Sequence, residues 1–254
     1  MALPSARLLR GKTACITGGT TGIGRAITLE YLRQGANVAV NHLGLDADER
    51  HRKSLLEEAQ KLKQQGAARC RLGISLRWRA MLRILRLDGS WWRKLAAEFL
   101  TLSKQQFDRT MEVNVNGTFY SCQAGAQQMV KQGKGGAIIG ISSISALVGG
   151  GLQTHYTPTK AAVLSMIQSM AIALAKDRIR CNALLPGTIH TQLAEDDMQN
   201  KEKKAYLEHR IPMGRVGKPE DLAGPAVFLA SEEMSGFMTG SQMLVDGGMF
   251  VHLQ

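Results

Sequence analysis

The sequence predicts an α/β fold, a single doubly wound parallel sheet with helices on both faces, spanning residues 1–254 as one domain. Three observations predict it. Short apolar runs alternate with stretches of helical spacing, the pattern that builds parallel sheets through helical crossovers. Glycines cluster where the first apolar run gives way to the first helical one. With 254 residues, 44% of them hydrophobic, the chain can bury one substantial core, and a second of ordinary size would be cramped.

The elements follow in order. Lys12–Thr17 (KTACIT) is short and mostly apolar, hence a strand, and a glycine-rich turn leads into a helix that stops at Gly35. Ala36–His42 is a second buried strand, and the charged stretch from Asp46 to Gly66 is an exposed helix. Ser103 and Gln106 form a capping box that opens one long helix running to Gly133. Gly136–Ser142 is a strand, Thr154–Asp177 a helix, Ile179–Pro186 a strand, Pro219–Ser231 a helix and Ser241–Gly248 the last strand.

One stretch breaks the pattern. Between Arg69 and Lys94, eight basic residues (Arg69, Arg71, Arg77, Arg79, Arg83, Arg86, Arg93 and Lys94) face one acid, Asp88, and all three tryptophans lie here. This stretch accounts for seven of the eleven net positive charges, so the rest of the chain is only mildly basic. Trp78, Met81, Leu82 and Leu85 fall on one side of a helix and Arg79, Arg83 and Arg86 on another, as in segments that bind membrane surfaces or partner proteins. The preferred reading is different. The abrupt change of composition marks a segment translated from a wrong frame or a misjudged splice junction, in place of the expected fourth strand, so the region of about 67–98 is abnormal.

Two constellations carry chemistry. In TGGTTGIG (Thr17–Gly24), Gly18, Gly22 and Gly24 let the backbone turn sharply and approach a pyrophosphate at the positive end of the following helix. In YTPTK, Tyr156 and Lys160 are four apart and project from one helix face, with Pro158 tolerated in the first turn. A tyrosine is a poor base near neutrality, and bringing one from ~10 to ~7 takes about 4 kcal/mol of preferential stabilisation of the phenolate. A neighbouring ammonium and a cationic nicotinamide are plausible sources of it. Ser142, Ser143 and Ser145 follow the strand at Gly136–Ile141, at the carboxyl end where such sheets bind ligands, and a hydroxyl there can hold the oxygen that the tyrosine deprotonates. The residues alone do not choose among the three serines.

Together these motifs resemble the short-chain dehydrogenase/reductase family, built on the Rossmann fold: TG-x3-G-x-G, the Asn of EVNVNG, Ser-x12-Tyr-x3-Lys, the Pro-Gly of LLPGTIHT and a late VDGG. The resemblance covers residues 11–66 and 99–254. It implies Tyr156 as acid/base, Lys160 as the group that acidifies it and grips the nicotinamide ribose, Ser143 as the orienter of the substrate oxygen, and Asn114 as a holder of the proton-relay water. Ile23 would join the phosphate turn, and Pro186, Ile189 and Thr191 would flank the nicotinamide. Segments such as QTHYTPTKAA and RIPMGRVGKPEDLAGPAVFLAS resemble most closely the fungal members that oxidise the anomeric carbon of L-rhamnose to the lactone. Ser145 and Gln153 would then hydrogen-bond ring hydroxyls, and a site built for hydroxyls rejects analogues without them. The family's adenine-holding Asp, its fourth strand and its Asn-Ala-Gly turn have no counterpart in the basic stretch.

The expected cofactor is NADP or NAD. Asn41 and His42 at the end of the second strand are neither the acid that selects NAD nor the arginine that selects NADP. Expected partners are a sugar and, from the resemblance, three further copies in a homotetramer, with no nucleic acid and no membrane. Cys15, Cys70, Cys122 and Cys181 are far apart, with no CxxC pair, so neither a zinc site nor a disulfide framework is expected. No apolar run approaches the ~20 residues of a membrane span, and the start MALPSARLLR is too short and too polar for a secretory signal, so a cytoplasmic location is expected. Arg7 and Arg10 leave organelle targeting as a weaker alternative. The rival functions are a carbonyl reductase of the 3-oxoacyl or xenobiotic type, and a catalytically impaired dinucleotide-fold protein that uses its Arg/Trp stretch for interaction.

Overall fold

The computed structural model describes residues 7–41, 46–64, 72–74 and 96–252. In chain order the elements are β1 (Thr13–Ile16), α1 (Gly22–Arg33), β2 (Asn37–Val40), α2 (Asp46–Gln64), β3 (Leu72–Ile74), α3 (Lys104–Met111), α4 (Gly117–Gln132), β4 (Gly136–Ile141), α5 (Thr157–Leu174), β5 (Ile179–Pro186), α6 (Glu195–Gln199), α7 (Lys201–His209), α8 (Ala223–Ala230), α9 (Glu232–Ser235) and β6 (Gln242–Val245). The α/β class holds, with parallel strands linked by helices. The readings made for Trp78–Arg86, for His42 and for most of 67–98 lie outside the described residues.

One compact unit combines Met1–Leu87 with Pro219–Ser235. Its strands pair in parallel in the order β1-β2-β3. Helix α1 buries Ala26, Ile27, Leu29 and Leu32, residues at helical spacing, and Tyr31 donates its hydroxyl to the Ala226 carbonyl of α8 at 3.0 Å. Val38 and Val40 of β2 are buried, each such side chain contributing about 1.5–3 kcal/mol of transfer energy.

The other unit combines Asp88–Lys218 with Gly236–Gln254. Its sheet runs β4-β5-β6, also parallel, and β5 is buried along its whole length because it has a strand on each side and helices over it. The core gathers Ile138, Ile167, Ile179, Cys181, Ala183 and Leu185. Gly140 makes the close approach possible, since a Cβ there would lie 2.5 Å from Cγ1 of Ile167 on α5. Among the described residues, β1 and β4 are each hydrogen-bonded to a neighbouring strand on one side only.

The long helix expected from Ser103 to Gly133 forms with one irregularity. Ser103 accepts the Gln106 N–H at 3.1 Å, and Gly133 ends the helix in the left-handed region. Between α3 and α4 the turn Glu112–Asn116 widens to a π-helix, a feature that periodicity does not reveal and that often marks functional positions. Among the described residues, one helix, Thr157–Asp177, has the length and composition to cross a membrane, with 21 residues and a mean hydropathy of 1.2, a test that core helices also pass.

Candidate active site

The glycine turn is shaped by contacts a side chain would destroy. Gly18 and Gly22 sit at φ of 63° and 50°, the left-handed region, and a Cβ on Gly24 would fall 2.3 Å from the Gly18 carbonyl oxygen. Gly19, which the motif does not single out, is equally confined, with Val40 Cγ1 2.5 Å from its virtual Cβ. The Thr28 hydroxyl lies 3.2 Å from the Gly19 carbonyl oxygen as a donor to it, holding α1 to the turn. Ile23 is the second residue of α1.

The turn fits a pyrophosphate. The N-cap Thr21 is extended and its side chain makes no capping bond, and the first turn of α1 holds no acid. The leading N–H groups therefore have no side-chain acceptor, and the helix end presents its partial positive charge to an anion. Asn41 has a second task that the sequence did not disclose. Its Oδ1 accepts the Gly18 N–H at 3.1 Å, bracing the turn, while the Asn41 N–H binds the Ile16 carbonyl.

In the other unit, parallel pairing puts the residues after β4 and β5 at the same end of the sheet, and the Ser142 N–H binds the Leu184 carbonyl at 2.8 Å. Ser143 is buried and its Oγ accepts the Ser145 N–H at 3.1 Å, opening a short 3-10 turn that packs against α5. Tyr156 is the N-cap of α5. The Lys160 ammonium lies 5.4 Å from the centre of the Tyr156 ring and donates to the Ile141 carbonyl at 3.2 Å, so tyrosine, lysine and the end of β4 share one place. Among the described residues no direct hydrogen bond joins Ser143 to Tyr156.

The remaining expected residues distribute as follows. Ser145 and Gln153 come together, Ser145 donating to Gln153 Oε1 at 3.4 Å. Asn114 occupies the π-turn, and its Nδ2 donates to Thr159 Oγ1 at 3.0 Å. Pro186 ends β5, Ile189 is buried and bridges in parallel to Gly217, and Thr191 caps the short turn Gln192–Ala194. Among the described residues the thiols are held protonated near neutrality: burial raises Cys15, pushes Cys122 up to about 11 and, with the nearby Cys122 adding to it, pushes Cys181 up to about 12. Among the described residues no cluster of ligating side chains could hold a metal.

The sequence matches the family model described as enoyl-(acyl carrier protein) reductase over residues 18–250. This chain belongs to the short-chain dehydrogenase/reductase family. An L-rhamnose-1-dehydrogenase of the yeast Scheffersomyces stipitis is 50% identical across 97% of this chain and 99% of that protein. An L-rhamnose 1-dehydrogenase (NAD(P)+) of Sphingomonas is 46% identical across 98% of this chain and all of that protein. A dehydrogenase fold from Agrobacterium tumefaciens, solved with bound NADP, superposes with a TM-score of 0.81 at 25% identity, covering 98% of this chain and all of the other. The alignment to the yeast protein spans 260 positions, more than the 254 residues of this short-chain dehydrogenase, so the relative carries residues with no counterpart here.

Proposed function

We propose that this chain oxidises the C1 hydroxyl of L-rhamnose to the lactone, with NADP or NAD as hydride acceptor. The observation that carries the reading is the near-complete match, at 50% and 46% identity, to two proteins named for that oxidation. When bound, the nicotinamide supplies the hydride acceptor. Lys160, through the field of its ammonium, would stabilise the phenolate of Tyr156, which would take the proton of the C1 hydroxyl and become the neutral phenol as C1 gives up hydride. Ser143 holds the C1 oxygen. Ser145 and Gln153, already within 3.4 Å of each other, bind ring hydroxyls, and Gly18, Gly22, Ile23 and Gly24 hold the pyrophosphate. Pro186, Ile189 and Thr191 line the nicotinamide. Asn41 is neutral, so it carries no charge to repel the 2′-phosphate of NADP, which supports use of either cofactor.

We also read the chain as one cytoplasmic dinucleotide-binding domain that assembles as a homotetramer. Support for self-association comes from an apolar groove of about 480 Å³ between α4 and α5, lined by Phe119, Cys122, Ala126, Val130, Met170 and Leu174. Ile172 stands 84% exposed on α5, which accounts for that helix being apolar yet little buried. Light scattering should report four chains for the native protein and a smaller species for Phe119→Glu. A monomeric native protein would contradict this assembly.

The test of the activity compares oxidation of L-rhamnose with reduction of an acetoacetyl thioester by the same preparation. Saturable reduction of NADP or NAD by L-rhamnose, with at least ~10-fold lower kcat/KM for a sugar lacking one ring hydroxyl, is the expected result. Activity confined to the acetoacetyl substrate overturns the proposal.

A further inference from the structure

We infer that Thr159 is a positioning residue for the acid/base tyrosine, tying the π-turn that carries Asn114 to the backbone of Tyr156. The inference rests on the proposed role of Tyr156. Thr159 is completely buried, and its hydroxyl is used in both directions: it accepts from Asn114 Nδ2 at 3.0 Å and donates to the Tyr156 carbonyl at 2.7 Å. Only a group that is both donor and acceptor can make this link, because Asn114 offers N–H and Tyr156 offers C=O.

The carbonyl at the far end of the link is held unusually well. Besides the Thr159 hydroxyl, the backbone N–H groups of Thr159 and Lys160 reach it, at 3.0 and 3.2 Å. Three donors on one oxygen fix the peptide plane that aims the Tyr156 side chain. The Lys160 end is clamped in the same manner, since buried Ser142 donates its hydroxyl to the Lys160 carbonyl at 2.8 Å. Loss of the Thr159 hydroxyl leaves Asn114 Nδ2 without its acceptor and the Tyr156 carbonyl with one donor fewer, so the π-turn and the start of α5 lose the side-chain tie between them. A displacement of the phenol by about 1 Å suffices to cost on the order of 100-fold in rate.

Thr159→Val keeps the shape and removes the hydroxyl, and Thr159→Ser restores it. The expected result for Thr159→Val is a kcat lower by about 10- to 100-fold with KM for the sugar within about 3-fold of native, and recovery to within about 3-fold in Thr159→Ser. Hydrogen exchange of the amides of Tyr156–Lys160, measured by mass spectrometry without any substrate, should be faster in Thr159→Val alone. Should Thr159→Val not fold, Thr159→Cys, which keeps a side chain in the space but replaces the hydroxyl by a weakly hydrogen-bonding thiol, takes its place in both measurements. Native turnover and native exchange in the hydroxyl-free variants, or equal impairment of the serine variant, overturns the inference. A native chain that oxidises no sugar counts against the proposed function alone, because the exchange measurement still decides whether the hydroxyl holds the turn.

Discussion

Tyr156→Phe lowers kcat/KM for L-rhamnose by about 10²- to 10⁴-fold, the range for loss of a positioned acid/base, while reduced cofactor binds with native affinity. The substitution removes one oxygen and leaves the ring in place, so the ammonium of Lys160, 5.4 Å from the ring centre, keeps its neighbour and its bond to the Ile141 carbonyl. Steady-state kinetics read the first effect, and fluorescence titration with NADPH or NADH reads the second. Loss of both together would show a disturbed fold in place of a missing proton acceptor.

Gly24→Val abolishes cofactor binding at the concentrations where the native chain saturates, a loss of at least about 100-fold in affinity. The Cβ it introduces meets the Gly18 carbonyl oxygen at 2.3 Å, and that atom is backbone within the phosphate turn, with its own N–H held by Asn41. The turn must open or the start of α1 must shift. Such overpacking typically costs 1–3 kcal/mol of stability as well, readable as a lower melting temperature. Titration with NADPH checks the binding, and native affinity in Gly24→Val would remove this turn from the cofactor site.

Much of the fold was legible because each visible element has its own period. The run from Ile179 to Pro186 is apolar apart from Arg180 and Asn182 and becomes the fully buried β5, and the glycines of Thr17–Gly24 stand where a strand hands over to a helix. The π-turn at Glu112–Asn116 was not legible, since an extra residue in one helical turn shifts the apolar stripe too little to show in a single sequence. The spacing of Tyr156 and Lys160 placed both on one helix face, where the structure has the ammonium 5.4 Å from the ring centre, whereas Ser143 was set apart from Ser142 and Ser145 only by the family resemblance. Thr159, Ser142 and the bracing role of Asn41 were not, because each acts through a backbone group, and backbone partners leave no mark in the sequence. The buried hydroxyl one residue before Lys160, on the first turn of a helix, was the only available signal.

L-Rhamnose carrying deuterium at C1 tests the central claim most directly. Incubated with the chain and NADP or NAD, it should give the lactone and reduced nicotinamide carrying the deuterium, with a slower turnover than the unlabelled sugar whenever hydride transfer limits the rate. Reduced nicotinamide without the label, or a product oxidised at any other carbon, would contradict removal of hydride from C1 by this site.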